Sequence, residues 1–255
     1  MNLNNKNYFS EYYKLIGFEI PQLITAFGFD KINGNLGYNV QASAVYSSNI
    51  EGNTIDLNSY MNYKLSKELK KPQKEIQEIE NLITAYEFAQ NNPLTETNFL
   101  NCHKILSKTL VSAANRGKYR KEKVGVFGHN GLVYLSIEPE FVVERMKEFF
   151  IEIKELLYDT NMLTEEVFYY ASLIHLMFAH IHPFRDGNGR AARLLEKWFV
   201  TSKLGQLYWN LPSEKYYKEQ QSTYYSNINL GVNYYELNYD KCIPFLLMLP
   251  SCLKK

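Results

Sequence analysis

The densest group of chemically capable side chains is one short stretch, His182-Pro183-Phe184-Arg185-Asp186-Gly187-Asn188-Gly189-Arg190-Ala191-Ala192-Arg193. It reads as a polar loop between a buried helix and an amphipathic one. Gly187 and Gly189 let backbone N–H groups approach a ligand closely and take positive φ. The first turn of the following helix leaves N–H groups unpaired and presents the positive end of the dipole, a ready anion site. Arg190 and Arg193 are three apart, so they share a face and can hold two successive phosphates. Asp186 supplies a hard oxygen for Mg²⁺, which binds through one or two carboxylates plus phosphate oxygens and water. His182, at the mouth of the loop, can take a proton from an attacking hydroxyl. The chemistry these residues suit is metal-assisted transfer of a phosphorus group, with positioning and charge neutralisation as its main sources of rate. The Gly-Lys-[Ser/Thr] ending of a Walker A loop and the dinucleotide-binding glycine pattern are both absent.

Arginine usage supports this focus. Only six of the 28 basic residues are arginines, and Arg185, Arg190 and Arg193 fall in that one stretch. A chain that covers its surface with lysine and concentrates arginine in one loop needs the planar fork there. Arg185 reads as solvent-facing, and Arg120 as structural at least as readily as functional. His103, His129, His175 and His180 read as structural histidines. His175 and His180 are five apart, a poor spacing for a helical metal pair.

The stretch from His182 to Arg193 resembles the signature of the Fic family, His-x-Phe-x-[Asp/Glu]-Gly-Asn-Gly-Arg-x-x-Arg, and matches it at every fixed position. His175, Phe178 and Ile181 stand at the spacings usual before the signature histidine. Gly117-Lys118-Tyr119-Arg120 followed by Val124 to Ile137 is similar to the family's flap. The resemblance spans about Ala42 to Leu249. It implies a mainly α fold, a Fic-type helical core with one small β-hairpin flap, acting as a protein adenylyltransferase with ATP as substrate and Mg²⁺ as cofactor. His182 is then the general base, and Asp186 holds Mg²⁺ on the α- and β-phosphates. Gly187, Asn188 and Gly189 cradle the anion, with the Asn188 side chain on the α-phosphate. Arg190 meets the β-phosphate and Arg193 the γ-phosphate, while Phe184 anchors the loop. Tyr224-Tyr225 resembles a step near the nucleotide base. Val124, Val126, Val133 and Tyr134 of the flap align a target protein as an added β-strand, delivering its Tyr, Thr or Ser hydroxyl.

A second motif, Ser47-Ser48-Asn49-Ile50-Glu51-Gly52-Asn53, resembles the family's inhibitory motif, [Ser/Thr]-x-x-x-Glu-[Gly/Asn]. Ser47 and Glu51 are four apart and share a helical face. The resemblance puts Glu51 bidentate on Arg193, where it removes the γ-phosphate's partner and tilts ATP from in-line attack. Removal of AMP from a modified protein by the same site is the alternative reading. A non-catalytic nucleotide-sensing module is another, which the undamaged signature disfavours. Self-modification and homo-oligomerisation are compatible with the sequence.

The elements that must position these residues read as mostly helical. Residues 1–38 form an irregular N-terminal extension with Gly28, Gly34 and Gly37, and 39–255 the Fic-type domain. A short helix over Val40–Ile50, with the inhibitory segment at about 42–51, stops near Gly52. Lys74–Gln90 carries Ile76, Ile79, Ile83 and Tyr86 at helical spacing. Thr95 caps the next helix. Short β-type runs flank Gly128-His129-Asn130-Gly131, whose Asn-Gly pair signals a hairpin within the flap at about 124–137. Pro139 opens a helix to about Tyr158, with Phe141, Met146, Phe149, Ile153 and Leu156 as its apolar stripe. Thr164–Ala179 is apolar nearly all round, hence a buried central helix. The loop at 182–193 leads into a helix from about Arg190 to Leu204, and tyrosine-rich helical material follows.

Composition bounds the rest. The 255 residues are 45% hydrophobic and 22% charged, with a net charge of +1, so no global charge case exists for nucleic acid or acidic membrane partners. Cys102, Cys242 and Cys252 make no disulfide framework, which fits a reducing compartment. The polar N-terminus lacks an apolar signal core, and Val167–Phe184 carries three histidines and reads as a buried helix, so a cytoplasmic protein is expected. No appended DNA-binding helix-turn-helix is expected after the core.

Overall fold

The computed structural model describes residues 3, 6–29, 36–66, 73–128 and 131–254. In chain order the elements are α1 (Phe9–Leu15), α2 (Ile20–Phe27), α3 (Leu36–Ile50), α4 (Leu57–Ser66), α5 (Gln73–Gln90), α6 (Glu96–Leu106), β1 (Gly125–Gly128), β2 (Gly131–Leu135), α7 (Pro139–Tyr158), α8 (Thr164–Ile181), α9 (Asn188–Leu204), α10 (Ser213–Glu219), α11 (Gln221–Ile228), α12 (Ile243–Leu246) and α13 (Met248–Ser251). The fold is mainly α with one small hairpin, as expected.

Helix α8 is the axis of the core. Every residue from Val167 to Phe178 is buried, and α1, α2, α7, α9, α12 and α13 all pack on it. Each such Leu, Ile or Phe contributes about 1.5–3 kcal/mol on burial, so the two ends of α8 are rigidly set. Among the described residues no helix is long and apolar enough to cross a membrane. On α7 the buried stripe is Val142, Met146, Phe149, Phe150, Ile153 and Leu156; Phe141 faces outward instead.

The N-terminal segment departs from the irregular chain expected. It forms α1 and α2, with Pro21 in the first turn of α2 and Gly28 closing it at φ 71°. Tyr12, Ile16 and Ile20 bury themselves against the core, Tyr12 edge-on to Tyr169 with ring centres 5.3 Å apart. The expected Gly34 lies outside the described residues, as do His129 and Asn130 of the hairpin turn. Helix α3 also begins earlier than the sequence suggests. It stops after Ile50 because Gly52 turns left-handed at φ 97°, with Gly52 N–H on the Asn49 carbonyl at 3.2 Å and Asn53 N–H on Ser48 at 3.1 Å. Thr95 caps α6 by accepting from Asn98 N–H at 3.2 Å. Strands β1 and β2 pair antiparallel, Val126 opposite Tyr134, with a bulge between Val126 and Phe127.

Candidate active site

The loop after α8 is built from a reversal at each end. His182 ends α8 at φ 51°, and Gly187 caps α9 at φ 85°. Phe184 anchors the loop: it is fully buried, stacked on the His103 ring at 3.5 Å between centres and 6.0 Å from Phe99 and Phe178. Asn188 braces the same residue. Its Oδ1 accepts the Phe184 N–H and its Nδ2 donates to the Phe184 carbonyl, both at 2.8 Å. The amide is thus held to the loop at both ends, and the second N–H of Nδ2 lies outside these two bonds.

Two further residues hold this frame. His103 accepts from Gly117 N–H at its Nδ1 and donates from Nε2 to the Asp186 carbonyl, each at 3.0 Å. An amide only donates and a carbonyl only accepts, so the ring is the neutral Nε2–H tautomer. Burial pushes its pKa down to about 4. No feature of the sequence distinguished His103 from any other core histidine. Arg120 is structural: Nε donates to the His182 carbonyl at 2.7 Å, Nη1 to Glu122 at 3.0 Å and Nη2 to Ile137 at 2.5 Å. It ties the end of α8 to the base of the flap. Arg185 lies exposed beside Glu122, 3.3 Å away, as expected.

His182 donates from Nδ1 to the Ala179 carbonyl at 3.3 Å, which leaves Nε2 as the acceptor of the neutral ring. Burial holds its pKa down to about 4, Arg120 adds to this, and the Ala179 carbonyl, Glu51 and Asp186 oppose it. Asp186 is half-exposed; its Oδ1 accepts from Gly187 N–H at 2.6 Å and faces Arg190 Nη2 at 3.4 Å. Among the described residues no group of three metal-capable side chains gathers. The donor set here is a single accessible carboxylate, which fits Mg²⁺ carried on a polyphosphate and not a protein-caged ion. Arg190 is paired with Glu78 of α5 as well as with Asp186.

Arg193 is fully buried, and each of its three nitrogens has a partner. Nε meets Ser47 Oγ at 2.9 Å, Nη2 meets the Ser47 carbonyl at 3.0 Å and Glu51 Oε1 at 2.7 Å, and Nη1 meets Tyr224 Oη at 3.2 Å. The Glu51 contact is thus through one oxygen and not bidentate, because Ser47 occupies the Nε side of the fork. Burial alone would raise the Glu51 pKa; Arg193 and Arg190 outweigh it and hold the carboxyl below its ordinary value. A ladder fixes this register. Ser43, Ser47 and Glu51 follow at helical intervals along α3 and meet Lys197, Arg193 and Gly189 along α9, with Lys197 Nζ on Ser43 Oγ at 2.8 Å. The two helices therefore run antiparallel with Glu51 at the start of α9.

Tyr224 and Tyr225 serve this contact directly. Tyr224 is buried; its hydroxyl lies 2.9 Å from His175 Nε2, and His175 Nδ1 lies 2.8 Å from Glu196. A carboxylate only accepts, so Nδ1 carries a proton, and the Tyr224 hydroxyl accepts from Arg193. Tyr225 donates to the Ile50 carbonyl at 2.9 Å. Both also line a cavity of about 540 Å³, with Glu51, His182, Asn188, Gly189 and the flap residues Val126, Phe127, Val133 and Tyr134. Of the expected flap contacts, Val126 and Val133 are exposed. Tyr134 is instead an anchor: it is buried, with its hydroxyl on the His180 carbonyl at 2.7 Å. Val124 is half-buried, and its carbonyl accepts from Ser136 Oγ at 2.6 Å to close the hairpin base. A larger groove of about 770 Å³ near Trp198 and Trp209 contains no residue of the 182–193 loop.

Residues 93–200, from the start of α6 through most of α9, match the family model described as Fic/DOC family. The chain contains a Fic/DOC family domain. This Fic domain includes the flap, α8 and the whole signature loop; α3 with Ser47 and Glu51 lies outside the matched residues. The chain is 39% identical over 62 residues to protein adenylyltransferase fic-1 of Caenorhabditis elegans, covering 24% of this chain and 11% of that protein. It is 28% identical over 145 residues to protein adenylyltransferase Fic of Drosophila erecta, covering 57% of this chain and 25% of that protein. The match thus spans a quarter or less of the length of these two curated relatives. The Fic fold extends further than the family match. A Fic family protein from Desulfovibrio desulfuricans superposes with TM-score 0.77 over 95% of this chain and 71% of that one, at 24% identity. Fic-1 from C. elegans superposes with TM-score 0.68 over 96% of this chain and 71% of that one, at 19% identity.

Proposed function

We propose that the protein is an autoinhibited protein adenylyltransferase, moving AMP from ATP to a side-chain hydroxyl of a target protein. The two relatives above carry the name adenylyltransferase, and the signature loop supplies the parts that such a transfer needs. His182 Nε2 takes the proton as the hydroxyl oxygen attacks the α-phosphorus; the bond from that phosphorus to the bridging oxygen breaks, and pyrophosphate leaves. The backbone of residues 187–189 and Arg190 would hold the phosphates, and Asp186 is the residue that would hold Mg²⁺. Bound Mg²⁺ would supply charge neutralisation on the departing pyrophosphate. The exposed flap edge at Val126 and Val133 would align the target's backbone.

The observation that carries the regulatory part is the 2.7 Å contact from Glu51 to Arg193. With Ser47, Tyr224 and Glu51 on it, this arginine has no accessible edge for a γ-phosphate. A swing of Glu51 out of the start of α9 would free one. Transfer of label from α-labelled ATP with Mg²⁺ tests the reading, using wild type, Glu51→Gly and Glu51→Gly/His182→Ala. Strong labelling by the single variant alone supports it, and equal labelling by all three refutes it.

A second reading has its own observation. Among the described residues only Oε1 of Glu51 is bonded, and the side chain is 25% exposed where it lines the cavity. The other oxygen can orient a water for removal of AMP from a modified protein, with His182 returning a proton to the leaving hydroxyl. Loss of AMP release in Glu51→Ala, on an AMP-modified substrate, distinguishes it.

A further inference from the structure

Helix α5 presents two carboxylates three residues apart, hence on one face. Glu75 holds the segment that follows Glu51: its Oε2 accepts from Thr54 Oγ1 at 2.9 Å, and its carbonyl accepts from Asn53 Nδ2 at 3.0 Å. Glu78, next along the face, accepts from Arg190 Nη1. The Arg190 side chain is only 8% exposed and that of Glu78 15%, so this pair is not a solvated surface contact. The same guanidinium turns Nη2 toward Asp186 Oδ1 at 3.4 Å, while its Nε has no acceptor among the described residues. A planar fork gripped at one terminal nitrogen has its remaining edge set in direction. Here that edge faces the carboxylate that would hold Mg²⁺, which is where phosphate oxygens would arrive. Glu78 belongs to neither of the two sequence motifs.

We propose that Glu78 is a positioning residue for nucleotide binding, holding Nη1 of Arg190 so that Nη2 faces the phosphates brought in beside Asp186. The proposal rests on the reading of Arg190 as a phosphate contact. Glu78 does not touch the nucleotide; it acts through Arg190. Its effect therefore falls on affinity more than on turnover and vanishes when Arg190 is gone.

The test is calorimetric titration of Mg-ATP into full-length Glu51→Gly protein carrying Glu78→Ala, Glu78→Gln, Arg190→Ala, or Glu78→Ala with Arg190→Ala. Loss of a charged, part-buried hydrogen bond weakens binding by about tenfold or more in Glu78→Ala. Glu78→Gln keeps an acceptor of the same shape and recovers part of the loss. In the Arg190→Ala background, Glu78→Ala adds nothing, since the cycle closes on one interaction. In transfer assays the same variants raise KM for ATP with a smaller change in kcat. Unchanged or tighter ATP binding in Glu78→Ala, while Arg190→Ala weakens it, overturns the positioning role. So does an additive loss in the double variant. Unchanged binding in Arg190→Ala overturns the phosphate reading beneath it. Thermal melting of each variant identifies any that fails to fold, and Glu78→Gln preserves the test if Glu78→Ala does.

Discussion

The Glu51 carboxylate fills the space that a side chain at residue 189 would need: a Cβ on Gly189 would lie 2.2 Å from Glu51 Oε1. A negative group at that point faces the positive end of the α9 dipole, where a helix's first amides lack intrahelical partners. Under the proposed function, the protein's own carboxylate stands in the anion site of the signature loop. Inhibition in this account is competition for that seat and for Arg193.

Gly189→Ala tests whether the seat is also the nucleotide's. In the Glu51→Gly background the clashing carboxylate is gone, and alanine is no worse than glycine in a helix, by at most about 1 kcal/mol in its favour, so folding stability holds there. The added methyl would sit 3.2 Å from Arg193 Nη1, where phosphate oxygens are expected. In the Glu51→Gly background, Gly189→Ala should keep its melting temperature and lose ATP affinity on titration. Unchanged ATP affinity would place the nucleotide elsewhere.

The strength of inhibition should depend on three side chains that cap α3. Lys218 Nζ donates to the Asn49 carbonyl at 2.9 Å, Gln221 Nε2 to Ile50 at 2.8 Å and Tyr225 Oη to Ile50 at 2.9 Å. The last carbonyls of a helix lack internal partners, and a cation there is favourable. Removing a cap costs about 1 kcal/mol, so Gln221→Ala or Tyr225→Phe should raise basal AMP transfer by roughly fivefold. The rise should vanish in Glu51→Gly, where nothing is left to seat. A rise of equal size in both backgrounds would assign these residues to catalysis or binding instead.

The pH profile follows from His182. The base must be neutral, and the folded ring has its pKa lowered to about 4 by burial. The neutral form is therefore retained as pH falls from 8 to 6 and is lost only through the folded value near 4. Removing Glu51 takes away a charge that favours the imidazolium, which pushes in the same direction. Transfer by Glu51→Gly should be nearly flat from pH 8 to 6. A ring at its ordinary pKa of about 6.5 would lose roughly three-quarters of its base form by pH 6. Such a fall in kcat would contradict the assignment.

Phe184 should be worth more to the fold than its exposed loop neighbours. It is buried against His103, Phe99, Phe178 and Tyr119. Phe184→Ala should cost about 3–5 kcal/mol in urea unfolding, whereas Arg185→Ala should be nearly silent. Comparable losses for both would mean that the loop is held by its backbone alone.

Much of this was legible in the residues. The helix starts at Thr95 and Pro139, the all-buried α8 and the hairpin all follow from capping chemistry and hydrophobic periodicity. The signature made the loop residues visible as a set. What stayed hidden was their partnering. Nothing in the spacing reveals that the Asn188 amide closes back on Phe184, since an Asn at a helix start can equally face a ligand. Nor does it reveal that Arg193 meets Ser47 by Nε and Glu51 by one oxygen, because the α3–α9 register is set by tertiary packing. Glu78 and His103 carry no local signal; each matters only for what the fold puts beside it. The sequence suggests irregular chain where the N-terminal helices lie, because at 7 and 8 residues they are too short to show a clear apolar period.

The central claim is that Glu51 holds the place of ATP's terminal phosphate. Titration of Mg-ATP and Mg-ADP into wild type and Glu51→Gly tests it most directly. Wild type should bind the two nucleotides alike, and Glu51→Gly should prefer ATP by about tenfold or more, a preference abolished by Arg193→Ala. An ATP-to-ADP preference that is the same with and without the Glu51 carboxylate would contradict it.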